Sequence, residues 1–80
     1  MTDTKLLEEA INESGKKKSY LAKKVGVSRA GFYNIIKNRA KLNAEQIDIL
    51  CYELGITSLK RKESIFFAKN GSFNEPRKEN

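Results

Sequence analysis

The sequence predicts an all-α fold: a compact bundle of four to five helices, then a C-terminal extended segment and a disordered tail. Apolar residues recur at helical spacing in successive windows, glycines stand where those windows end, and Asp, Ser and Asn stand where they begin. Eighty residues leave room for one domain with a modest core and for no second domain.

The first helix is expected over residues 4 to 14. Leu6, Leu7, Ala10 and Ile11 form its apolar face, Asp3 or Thr4 caps its start and Gly15 ends it. A short second helix runs from Lys18 to Val25 with Leu21, Ala22 and Val25 on one face, and Gly26 is the left-handed stop. About three residues later Ser28 caps a third helix, whose inner face is Phe32, Ile35 and Ile36 and which reaches about Lys37. Asn38 to Leu42 lacks hydrophobic periodicity and reads as a loop. Asn43 then caps a fourth helix, with Gln46 in capping-box position, Ile47, Leu50, Cys51 and Leu54 as its stripe and Gly55 as its stop. Residues 57 to 67 are ambiguous, since Leu59 to Glu63 begin a helix while Ile65, Phe66 and Phe67 suit a strand equally well; a helix giving way to an extended segment is expected. Those three apolar residues either pack on this chain's own core or form a dimer or partner surface. From Lys69 the apolar content almost vanishes, which predicts a flexible tail over 69–80 behind a domain of residues 1–68.

Charge is distributed unevenly. Residues 16 to 41 carry nine bases (Lys16, Lys17, Lys18, Lys23, Lys24, Arg29, Lys37, Arg39, Lys41) and no acid, within a chain of net charge +6. The segments on either side, 1–15 and 42–59, are each acidic by three charges. One basic block between acidic blocks implies a surface facing a single polyanion, and nucleic acid heads that class. One cysteine and no histidine rule out an intramolecular disulfide and a zinc cluster, and there is no thiol with an accompanying base, no glycine-rich phosphate loop and no carboxylate pair with an apolar setting to tune it. No enzyme activity, metal, cofactor or small-molecule ligand is expected. Without a signal-type apolar stretch or a run of ~20 apolar residues, the expectation is a cytoplasmic protein with no membrane partner. Cys51 falls on an apolar stripe and reads as an inert core thiol.

Two short helices with a tight Gly-containing connection, the second opening at a serine cap, are the layout of a helix-turn-helix over about residues 18–37. Leu21, Val25, Val27, Phe32 and Ile35 fall where such a motif turns inward. Lys23, Lys24, Arg29, Ala30, Tyr33, Asn34 and Lys37 fall where it faces out, and Ala22 is small where the two helices approach.

The run Leu21-Ala22-Lys23-Lys24-Val25-Gly26-Val27-Ser28-Arg29 resembles the "LAxxxGVS" core of the XRE-type helix-turn-helix family, which includes the lambdoid phage repressors and Cro proteins. Over roughly residues 4–60 the layout is similar to small Cro-like regulators of phages infecting Gram-positive bacteria, including those called modulators of repression. The resemblance implies a lambda repressor-like DNA-binding fold whose third helix enters the major groove of double-stranded operator DNA, commonly as a homodimer on two half-sites. It places Arg29, Ala30, Asn34 and Tyr33 at base-reading positions. Arg29 there suits O6 and N7 of guanine, a bidentate contact worth about 1–3 kcal/mol of discrimination, Ala30 suits a thymine methyl and Asn34 suits adenine. Tyr33 also reaches toward the backbone. Gly31 is read as letting the helix start lie close to DNA. Lys17, Lys18, Ser28, Lys37, Asn38, Arg39 and Lys41 fall at phosphate-binding positions. The chain departs from the family in having Lys18 where Gln is usual, which keeps phosphate binding and loses part of the bracing of a base reader.

The function expected is therefore a sequence-specific DNA-binding transcriptional regulator, a Cro-like repressor occupying an operator. Two alternatives remain at this level: a modulator or antirepressor acting mainly by binding a partner repressor protein, and a DNA-binding antitoxin. Lys60, Arg61 and Lys62 are read as solvated, adding weak attraction to DNA.

Overall fold

A computed structural model of the protein describes residues 2 to 68, and the tail expected over 69–80 lies outside them. The fold is all-α: α1 (Thr4–Ser14), α2 (Lys18–Val25), α3 (Arg29–Ile36), α4 (Ala44–Leu54) and α5 (Leu59–Phe66). Among the described residues there is no strand. The expected extended segment is thus corrected at Ile65 and Phe66, which stay helical and are buried, so that among the described residues only Phe67 and Ala68 follow the helix. Their preference for strand is overridden by packing, because two adjacent apolar residues one turn after Lys62 also fill the inner face of a helix. The carbonyl of Ile65 is satisfied by the Asp3 N–H at 2.7 Å, which joins the end of α5 to the start of α1. The question left open for this group is divided: Ile65 and Phe66 enter the chain's own core, while Phe67 is 52% exposed.

All five helices contribute to one core, built around Leu7, Leu21, Phe32, Leu50 and Ile65 as its largest fully buried side chains. Cys51 lies within it, and Ile56, just past α4, is buried as well. Among the described residues no polar or charged residue is buried. Burial therefore supplies cohesion, and direction comes from the helix ends. Asp3, Ser28 and Ser58 each accept a backbone N–H three residues on, at 3.1, 2.9 and 3.2 Å. Asn43 and Gln46 form a full capping box at 2.7 and 3.0 Å. Gln46 Nε2 also donates to the Val25 carbonyl at 3.2 Å, fastening the start of α4 to the end of α2. Only α2 begins without a side-chain cap: Lys17 holds the position and accepts nothing there.

Candidate nucleic-acid interface

The connection from α2 to α3 is three residues, Gly26 to Ser28. Gly26 sits at φ 78°, where any side chain is strained, and this lets the Val27 N–H turn back onto the Ala22 carbonyl at 3.0 Å. Ala22 is 1% exposed, and α2 packs against α3. A Cβ on Gly31 would stand 3.2 Å from Ser28 Oγ and 3.4 Å from Val27 Cβ. The missing side chain of Gly31 therefore leaves room for the turn beside Ser28 and Val27.

Phe32, Ile35 and Ile36 anchor α3 in the core, and its opposite side is presented to solvent. Arg29, Ala30, Tyr33 and Lys37 are exposed and Asn34 is half-buried. The Lys37 ammonium stands 5.4 Å from the centre of the Tyr33 ring, a cation–π pair on the exposed face. Ser28 Oγ accepts the Gly31 N–H and keeps its own proton to donate. Between the start of α2 and the outer side of α3 lies a cleft of about 390 Å³, lined by Lys17, Lys18, Ser19, Arg29 and Tyr33 around Phe32 and Ile36. The uncapped N–H groups of α2 open beside Lys17 and Lys18, an arrangement suited to an anion.

The loop after α3 is shaped by Asn38, which adopts φ 63°. Its N–H donates to Ile35 O at 3.0 Å and the Arg39 N–H donates to Asn34 O at 2.8 Å, so Asn38 closes the helix in the manner usually given to glycine. The Asn38 side chain donates to the Thr2 carbonyl at 3.1 Å. Its amide therefore holds the loop to the N-terminal segment, whereas its neighbours Arg39 and Lys41 are exposed.

The nine bases of residues 16–41 are not equally available. Lys16 pairs with Glu53 and Lys18 with Glu8, each at 2.8 Å. Among the described residues the other seven form no ion pair. Glu53 has a side chain only 9% exposed and accepts from the Tyr20 hydroxyl at 3.1 Å as well as from Lys16. The Lys16 hydrogen bond holds the Glu53 carboxyl below its ordinary range against the opposing effect of burial, and Tyr20 adds to the shift. Lys16 is correspondingly raised, chiefly by the same bond. The ammoniums of Lys16 and Lys24 stand 5.7 and 5.4 Å from the centre of the Tyr20 ring. Elsewhere Arg61 pairs with Glu13 at 3.0 Å and Lys62 with Asp48 at 2.9 Å.

The four-residue spacing of Lys16, Tyr20 and Lys24, the last two on α2, is a signal of this cluster in the sequence. Nothing local pointed to Glu53 or Glu8. Among the described residues no group of His, Cys, Asp and Glu is placed to hold a metal ion, and no helix is long and apolar enough to cross a membrane. Cys51 is buried, and burial pushes its thiol upward. Compared with protein-family models, curated proteins and solved structures, the chain matches none.

Proposed function

We propose that the protein is a sequence-specific DNA-binding regulator that occupies an operator in the cytoplasm of a bacterial host, with α2 and α3 acting as a helix-turn-helix of the XRE/Cro type. The observation that carries this reading is the cleft where the uncapped start of α2 meets the outer side of α3, lined by Lys17, Arg29 and Tyr33. A helix anchored by Phe32, Ile35 and Ile36 and otherwise exposed can enter a major groove about 12 Å wide. Arg29 then reads a guanine, with Ala30, Tyr33 and the half-buried Asn34 beside it, while Lys17, Lys37, Arg39 and Lys41 neutralise phosphates. A homodimer would present two such helices to half-sites one helical turn apart. Selection from a pool of random duplexes tests the reading: enrichment of a palindromic motif is expected, and binding that enriches none would overturn it.

One observation favours a second reading, in which the chain acts through a partner repressor. Tyr52 and Leu59, at the end of α4 and the start of α5, are 84% and 68% exposed. Mass measurement with and without the partner separates the two readings, since a stable complex supports the second.

A further inference from the structure

Acids from outside the basic block engage two of its nine cations, and one of these lies at the proposed interface. Lys18 is the first residue of α2 and lines the same cleft as Arg29 and Tyr33. Its ammonium stands 2.8 Å from Glu8 Oε1 on α1, with the two side chains 50% and 36% exposed. The pair is therefore open to water and within reach of any phosphate that enters beside Lys17.

We propose that Glu8 is a built-in competitor for Lys18, occupying the cation that a DNA phosphate would take and so lowering the affinity of the protein for every duplex alike. This rests on the DNA-binding reading above. An exposed ion pair is weak and exchanges readily, so a phosphate can displace Glu8. The exchange leaves an uncompensated carboxylate beside the DNA backbone, and that repulsion opposes the gain from the new contact. Lysine suits such an exchange, because its compact charge sits on a flexible stem and requires no fixed bidentate geometry. Among the described residues the ion pair of Glu8 is with Lys18 and with none of the side chains assigned to bases, so its effect carries no sequence preference. The competitor restrains the sequence-independent term, which governs how much protein is held by non-operator DNA.

The test is a salt titration of full-length wild type, E8Q, K18Q and E8Q/K18Q with a labelled pool of random-sequence duplexes, after thermal melts show that all four fold. E8Q should bind about two- to five-fold tighter at low salt, the range expected for releasing one exposed ion pair. The slope of log affinity against log salt should steepen by up to about 0.9, the value of one phosphate contact. Both gains should vanish in E8Q/K18Q, and K18Q should cost less in the wild type than in E8Q. An E8Q protein that binds as the wild type does overturns the inference alone. So does a gain that survives in E8Q/K18Q, because Glu8 would then act through the general field. A wild-type chain that binds no duplex overturns the DNA-binding reading and this inference together.

Discussion

α3 and α5 are both eight-residue helices entered from a serine cap, and by sequence α5 is the more basic, with Lys60, Arg61 and Lys62 in succession. Folding reverses the ranking. Arg61 and Lys62 are taken by Glu13 and Asp48, whereas Arg29 and the cations flanking α3, Lys17, Lys37, Arg39 and Lys41, meet no acid among the described residues. Charge density in a sequence is thus not charge available to a partner. A paired cation reaches a phosphate only by giving up its acid, whereas an unpaired one binds without that exchange.

The largest effect on recognition is expected at Arg29. Replacing it with Ala should cost about 1–3 kcal/mol of discrimination at one base pair and leave the salt slope nearly unchanged, read by titrating matched and singly substituted operators. Uniform weakening on every sequence would move Arg29 from the base-reading set to the phosphate set.

A smaller effect, on stability, is expected in the loop that presents Arg39 and Lys41. Asn38→Ala places a residue with no local hydrogen-bonding side chain at φ 63° and removes the bond to Thr2, which should cost about 1–2 kcal/mol in urea denaturation. Asn38→Gly should recover most of the loss. Equal stability of the Ala and Asn proteins would show that the backbone there is not held as described.

The smallest effect concerns a paired cation. Because the Glu53 carboxyl is held below its ordinary 4.5, its contribution to stability is present above that value and is lost as pH falls through the lower folded value. Lys16, raised above 10.5, contributes below that value and loses its contribution as pH rises through the higher folded one. E53Q should accordingly lose less melting temperature than the wild type on acidification below 4.5. An identical loss in both proteins would mean that the pair adds nothing.

Much of the scaffold was legible in the sequence because its signals are local. Caps such as Ser28 and the Asn43–Gln46 box, and stops such as Gly26 and Gly55, act within a few residues of themselves. Ile65 and Phe66 suit a strand or a helix equally by local pattern, and the choice depends on burial in a core built by elements distant in sequence. The outward side chains of α3 followed from the period that buried Phe32, Ile35 and Ile36. Which cations are free did not follow, since Glu8 is ten positions from Lys18 and Glu53 is far from Lys16 along the chain. The resemblance puts Asn38 at a phosphate-binding position, and its backbone angle and its bond to Thr2 add a shaping role that no local pattern displays.

The central claim is that the cations around α3 that meet no acid among the described residues, and not the paired ones of α5, meet DNA. Comparing salt titrations of random duplexes with the wild type, the Lys17→Gln/Arg39→Gln/Lys41→Gln protein and the Arg61→Gln/Lys62→Gln protein tests it most directly. The triple variant should flatten the slope by nearly three units, at about 0.9 per lost phosphate contact, while the double variant should leave it within about half a unit of the wild type. Equal flattening per charge removed in the two variants would contradict the claim and reduce the basic block to a general electrostatic field.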